Sequence, residues 1–319
     1  MVVYNLEEFN EGQRVNIPHI PVLLAEVKEA FLSIDDGYIV DCTLGYGGHS
    51  EALLEQNPHV KLIGCDQDEE ALNFSKKRLE RFGDRVMFHS GNFASVIETY
   101  KHLPIRGILA DIGVSSLQLD KKERGFAFDS DVLDMRMDTK SPLSAYEVIN
   151  HYPKAELEFL LREYGEIHEY KKMAQLLCDA RAQKPIESAK ELSKLVERMG
   201  SKKKIHPSTL LFQAIRIEVN NELGVLTTLL ESIKKASLHS CVVGIISFHS
   251  LEDRIVKQTF KVWSQNCICP PDVMRCLCGN NHALGKLISK KPIEATASEV
   301  KKNPRSRSAK LRLFHIKMS

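Results

Sequence analysis

The residues best suited to do chemistry fall in four short strings, each at the end of an apolar run. The richest is Asp41-Cys42-Thr43-Leu44-Gly45-Tyr46-Gly47-Gly48-His49-Ser50, where three glycines fall within four positions. Glycines so close together let the backbone turn sharply and approach a ligand with no side chain in the way. Asp66 follows about twenty residues beyond the loop, the distance at which a strand-end carboxylate accepts hydrogen bonds from ribose hydroxyls. Asp111 stands in Ala110-Asp111-Ile112-Gly113-Val114-Ser115-Ser116, and His249 in Ser247-Phe248-His249-Ser250-Leu251-Glu252-Asp253-Arg254.

A glycine loop that opens a helix serves nicotinamide and flavin dinucleotides as well as S-adenosylmethionine. The dinucleotide fingerprint sets its third glycine three residues after its second, so that helix and strand close around a pyrophosphate. Ser50 occupies that place. Adenosylmethionine has no phosphate, and Gly45-Tyr46-Gly47-Gly48 meets its looser demand. Asp66 has a second reading as a helix cap, but Asp68 is available for that task. Phe93, in Gly91-Asn92-Phe93, packs on an adenine or simply in the core. Asp111 either holds a substrate amine or only binds the cofactor. The Asp-Pro-Pro-aromatic signature of many base-amine methyltransferases is absent, since Asp111-Ile112-Gly113-Val114 stands there.

These strings need a frame. Tyr38 to Val40, Lys61 to Cys65, Arg85 to Phe88 and Gly107 to Ala110 are short apolar runs alternating with helical patterns, the rhythm of parallel strands and crossover helices. One crossover opens with Asp68, Glu69 and Glu70 and closes with Lys76, Lys77 and Arg78, matching a helix dipole. Leu72, Leu79 and Phe82 then face the sheet. Carboxyl ends of parallel strands are where such sheets bind ligands, and all four strings lie there.

From about Lys121 the rhythm changes to helices with apolar residues at i, i+3, i+4 and i+7. The first starts at Pro153, carries Leu157, Leu160, Leu161 and Tyr164, and stops at Gly165; the second carries Met173, Leu176, Leu177 and Ala180. The third opens with Ser188 and Glu191 in capping-box spacing, carries Leu192, Leu195, Val196 and Met199, and stops at Gly200. One long helical pattern then runs from Ser208 to about Lys235 on a single face. Cys241 to Phe248 is a buried strand, Leu251 to Trp263 its following helix, and Gly285 to Ser289 and Leu311 to Ile316 supply two final strands. The expected division is a sheet domain in two parts, 1–120 and 208–319, around an all-helical insertion at 121–207.

With 43% hydrophobic and 27% charged residues over 319 positions, the chain builds an ordinary globular core. No long apolar run marks a secretory signal or membrane span in the first thirty residues, which leaves a cytoplasmic location as the expectation. A net charge of +2 excludes a protein that coats nucleic acid by bulk charge. Local basic clusters exist at Lys202-Lys203-Lys204 and at Lys301, Lys302, Arg305, Arg307 and Lys310. Each either holds RNA phosphates or is a solvated face. Cys42, Cys65 and Cys241 sit in strand runs and read as small buried hydrophobes. Cys267, Cys269, Cys276 and Cys278 form a CxCx6CxC cluster, either a closed zinc site or reduced thiols in a loop, and the spacing is not that of a common zinc motif.

Longer strings carry a more specific likeness. His19-Ile20-Pro21-Val22, Gly47-Gly48-His49-Ser50, Asp111 through Asp120, Glu123-Arg124-Gly125-Phe126, Leu133-Asp134-Met135-Arg136-Met137-Asp138, Phe212-Gln213-Ala214-Ile215-Arg216, Ile246 through Arg254 and Asn303-Pro304-Arg305-Ser306-Arg307-Ser308 span nearly the whole chain beyond residue 18. In these the chain resembles the MraW/RsmH family, which methylates the N4 amine of a cytidine in the decoding region of bacterial 16S ribosomal RNA. The resemblance implies an α/β, Rossmann-like methyltransferase sheet with an inserted helical domain, S-adenosylmethionine as cofactor, and the small ribosomal subunit as partner. It also implies cofactor contacts at Gly47, Gly48, His49, Asp66, Phe93, Asp111 and Gln118. Asp111, or a backbone carbonyl beside it, is the candidate to hold the amine, and His249 is a base, an RNA contact, or a loop residue beside a Ser250 helix cap. Two other readings remain: a dinucleotide oxidoreductase, disfavoured by the missing third glycine, and an assembly factor that binds RNA without catalysis, disfavoured by the intact loop, Asp66 and Asp111.

Overall fold

A computed structural model describes residues 20–113, 121–197, 199, 206–270 and 275–317. Gln118, Lys202, Lys203, Lys204 and Gly200 lie outside them. In chain order the first elements are α1 (Leu24–Ala30), β1 (Tyr38–Asp41), α2 (Gly48–Gln56), β2 (Lys61–Asp66), α3 (Glu69–Leu79), β3 (Val86–Ser90), α4 (Val96–Tyr100) and β4 (Ile105–Asp111). A helical stretch follows: α5 (Ala145–His151), α6 (Lys154–Glu163), α7 (Tyr170–Gln183), α8 (Ala189–Val196), α9 (Pro207–Asn220) and α10 (Glu222–Lys235). The chain then gives β5 (Val242–Ser247), α11 (Ser250–Trp263), β6 (Gly285–Leu287), β7 (Ile293–Glu294), α12 (Ala297–Lys302) and β8 (Lys310–Ile316).

The strands form one sheet in the order β3-β2-β1-β4-β5-β8-β6, with β7 also paired to β8. The first five run parallel and β8 lies antiparallel to β5. Neighbouring strand residues point to opposite faces. Thus Ile39, Leu62 and Leu109 join one core with Val27, Phe31, Leu53 and Leu79, while Val40, Ile63 and Ile108 join another with Leu226, Leu230 and Phe260. Cover on both faces is why the strands read as continuous apolar runs. Order reverses between β1 and β4, so the connections leaving their carboxyl ends run to opposite sides of the sheet and leave a crevice.

The helices between the two sheet segments have a core of their own. Leu157, Leu160 and Leu161 of α6 meet Met173 and Leu177 of α7, Leu192 and Val196 of α8, and Leu211, Phe212 and Ile215 of α9. Phe126, Leu133 and Met135 from the preceding loop join them. Because α9 packs here, the sheet resumes nearer Asn221 than residue 208.

Three readings of the sequence change. The single helix expected from Ser208 to Lys235 is two, broken at Asn221, whose backbone is left-handed (φ 47°, ψ 40°). Asparagine tolerates that conformation better than most residues, and one such residue bends the chain without disturbing the apolar spacing on either side. The third strand starts at Val86, one residue later than expected, because Arg85 ends a 3-10 turn and reaches back to the carbonyls of Leu54 (3.0 Å) and Asn57 (2.9 Å). His249, rather than Ser250, caps α11: its side chain faces the Glu252 amide while the Glu252 carboxylate accepts from the His249 amide, a reciprocal capping box.

Candidate active site

The loop after β1 is fixed before any ligand arrives. Asp41, buried at the end of β1, accepts from Ser50 Oγ (2.6 Å) and the Thr43 amide (3.2 Å), and burial pushes its pKa up. Thr43 Oγ1 accepts from the Asp111 amide (2.7 Å), tying the ends of β1 and β4. Gly45 and Gly47 both have positive φ (51° and 74°), the region that favours glycine. Gly47 caps α2 and faces Ser75 and Leu79 rather than the crevice, while Gly45, Tyr46 and Gly48 line it. At Gly48 a Cβ would stand 2.4 Å from Pro21 Cγ, so only glycine lets the segment at Pro21–Val22 close over the loop.

The crevice is lined by that loop, Asp66, Phe93, Asp111, Asn220, Glu222 and Glu252, with Arg305 at its edge. Asp66 accepts from the amides of Gly45 (2.8 Å) and Asp68 (2.9 Å), one on each carboxylate oxygen, which leaves each oxygen a further lone pair. Asp68 does cap α3, accepting from the Glu70 amide at 3.0 Å. Asp111 is half-buried beside the Gly113 amide (3.4 Å). Burial raises both carboxyls to about 6, the amide hydrogen bonds opposing it. His49 lines the crevice, but its Nε2 lies 2.8 Å from the Val22 carbonyl oxygen, so it also anchors the N-terminal segment. Phe93 lines the crevice and packs on the sheet core at once. Of the seven expected cofactor contacts, Gly48, His49, Asp66, Phe93 and Asp111 converge here; Gly47 supports from behind and Gln118 lies outside the described residues.

Sequence reasoning overlooked the far wall. The bend at Asn221 brings Glu222 back to Arg216, which donates to it through Nε (2.7 Å) and Nη2 (3.0 Å). His249 Nε2 lies 3.0 Å from Glu252 Oε1 and 3.9 Å from Glu222 Oε2. Burial disfavours a charged imidazole, but the two carboxylates outweigh it and push His249 up to about 9. The two acids thus favour the protonated imidazole, a form whose Nδ1 donates and gives up the cap at the Glu252 amide; His249 does not line the crevice, whereas Glu222 and Glu252 do. In the sequence Glu252 stood only inside the string that carries the family likeness, and no periodicity marks Glu222.

The arginine-rich loop joins the helical core to this rim. Arg124 donates to Asp68 (2.9 Å) and to the carbonyls of Arg136 and Met137 (3.0 Å each). Asn220 completes the clasp, accepting from the Met137 amide (2.8 Å) and donating to the Met135 carbonyl (2.9 Å). On the other side Glu299 accepts from the Leu23 amide (2.8 Å) and Asn303 donates to the Ile20 carbonyl (3.1 Å), which sets the basic segment around Arg305 against the crevice.

A doubly wound sheet with a ligand crevice at its switch point, an antiparallel β8 beyond β5 and a helical insertion is the Rossmann-like fold of adenosylmethionine-dependent methyltransferases. The chain belongs to the MraW methylase family, which it matches over residues 16–317. It is similar to the "Ribosomal RNA small subunit methyltransferase H" of Aliarcobacter butzleri, with 61% identity over 94% of this chain and 99% of that one. The protein of the same name from Sulfurovum sp. is 59% identical over 94% of this chain and 98% of the relative. A solved rRNA methylase from Streptococcus thermophilus aligns with a TM-score of 0.39 and 11% identity over 94% of this chain and 99% of that one.

Proposed function

We propose that this chain transfers a methyl group from S-adenosylmethionine to the exocyclic N4 amine of a cytidine in the decoding region of 16S ribosomal RNA, in the cytoplasm. Membership of a methylase family whose relatives are named for the small ribosomal subunit RNA supports the broad activity. The observation that carries the cofactor reading is the excess of acids in the crevice lining, where Asp66, Asp68, Asp111, Glu222 and Glu252 stand against Arg78 and Arg305. A dinucleotide pyrophosphate calls for the opposite sign of charge, whereas the cationic sulfonium and ammonium of adenosylmethionine fit carboxylates. No helix among the described residues is long and apolar enough to cross a membrane.

When bound, the cofactor supplies an activated methyl on its sulfonium. Gly45 to Gly48 give backbone approach for its methionine end, Asp66 accepts from the ribose hydroxyls with the lone pairs its amide donors leave free, and Phe93 packs on the adenine. Asp111 faces the incoming base and accepts from its N4–H, orienting the lone pair and drawing off the proton. Cytosine N4 is a weak nucleophile, so positioning is the main task, worth on the order of 7–11 kcal/mol where geometry is held well. The base must be exposed or flipped to enter. Arg305, which lines the crevice, and the exposed Lys301, Lys302 and Arg307 near it in the chain hold flanking phosphates.

Incubation with methyl-labelled cofactor and small subunits, followed by nucleoside analysis and mapping, tests this. Label in N4-methylcytidine of the decoding region is expected. Label on another base contradicts the finer assignment, and cofactor binding without transfer to subunits or naked RNA favours an assembly factor.

A further inference from the structure

We propose that Cys267, Cys269, Cys276 and Cys278 bind one zinc ion in a closed, structural site. Their sulfurs converge from two short CxC arms within 4.8 Å of one another. Cys267 to Cys276 is 3.6 Å, Cys276 to Cys278 3.5 Å, and Cys278 to Cys267 3.9 Å. A tetrahedral ion with Zn–S bonds of about 2.3 Å separates its ligand sulfurs by roughly 3.8 Å. Disulfide sulfurs stand at about 2.0 Å, so the spacing fits a shared ion and not a pair of bridges.

Packing cannot explain the convergence. Ile268 and Leu277, the apolar residues between the paired cysteines, are 61% and 82% exposed. Among the described residues no apolar side chain is buried between the first and last of these cysteines, so the convergence needs another staple. The backbone prepares the sulfurs for negative charge: the Ile268 amide donates to Cys278 Sγ (3.4 Å) and the Leu277 amide to Cys269 Sγ (3.2 Å). Gly279 and Asn280, both with positive φ (84° and 53°), turn the chain sharply away after the last cysteine. The loop base is closed by the His282 amide on the Asn266 carbonyl (3.0 Å) and the Leu284 amide on the Trp263 carbonyl (2.8 Å).

Position separates this site from the chemistry. Gly285 pairs with Ile316, and His315 with Val242 at the start of β5, which puts the cluster at the amino edge of the sheet, opposite the methyl-transfer crevice. Four thiolates fill a tetrahedral ion and leave no position for water or substrate. Uptake of Zn2+ forms four Zn–S bonds, releases the thiol protons to solvent and transfers no electrons. The ion pins the link between α11 and β6.

Elemental analysis of the full chain purified under reducing conditions should find about one zinc per chain. A Cys276→Ser, Cys278→Ser double variant should lose it while cofactor affinity changes less than about twofold. Cobalt replacement in the unaltered chain gives a second reading, the visible absorption of a tetrahedral cobalt thiolate, which needs no variant to fold. Four freely alkylated thiols that added zinc does not protect, a disulfide among these cysteines, or iron at that stoichiometry would each overturn the proposal.

Discussion

Asp66 and Asp111 stand on strand ends flanking β1, each with its pKa pushed up to about 6 by burial. Only the ionised form serves as a full acceptor for ribose hydroxyls or an amine. Cofactor affinity should therefore weaken as Asp66 protonates below pH about 6, and binding near that pH should release protons, visible as a calorimetric enthalpy that depends on the buffer, while turnover follows Asp111 over the same range. For the free protein the sign is opposite: a carboxyl raised above its unfolded value of 3.8 favours folding below that value, and the benefit is lost as pH rises through about 6. Asp111→Asn separates its two roles. Turnover should fall by on the order of a hundredfold with cofactor affinity nearly kept, and unchanged turnover with weaker binding would assign it to the cofactor alone. Removing the buried His249 cation by His249→Ala leaves Glu252 uncompensated and should cost about 3–5 kcal/mol in thermal or denaturant unfolding. Since His249 is raised from 6.5 to about 9, its stabilisation is complete below 6.5 and lost as pH rises through 9, so the two proteins should converge in alkaline buffer. Asp66 and Asp111 were legible in the sequence because strand ends announce themselves. Glu222 was not, since nothing local shows which distant acid a bend will return to a crevice.

At the scale of elements, the sheet could be read almost strand by strand because β1, β2, β4 and β5 are buried on both faces. What escaped was short or set by single residues: β7, with two residues, α5, whose seven residues show barely two turns, and the Asn221 bend inside an unbroken apolar stripe. The Pro21–Val22 segment stood among the strings of the likeness, but its role escaped, because that role is contact with a loop further along the chain. Gly48→Ala tests that contact. Its Cβ, 2.4 Å from Pro21 Cγ, must push the segment off the loop. The overpacking should cost about 1–3 kcal/mol in stability, and cofactor affinity should drop by on the order of tenfold, measured by unfolding and by titration. Intact affinity would show that the lid segment is not needed to shape the site.

Across the whole molecule, the helical core is clasped to the cofactor rim through Arg124 and Asn220. Little of this assembly is local, so the sequence showed two kinds of periodicity but not the clasp between them. Arg305→Ala with Arg307→Ala should weaken subunit binding and reduce its salt dependence by up to about two units of slope, with cofactor affinity held. A slope equal to that of the unaltered chain would remove these arginines from the RNA interface.

Titration calorimetry of the full chain with S-adenosylmethionine decides whether the rim crevice binds a cationic sulfonium nucleoside through its acids. Saturable binding of one equivalent is expected, weakened in Asp66→Asn by about tenfold or more and weakened in the unaltered chain below pH about 6. Absence of binding, or binding indifferent to both Asp66→Asn and pH, would contradict it.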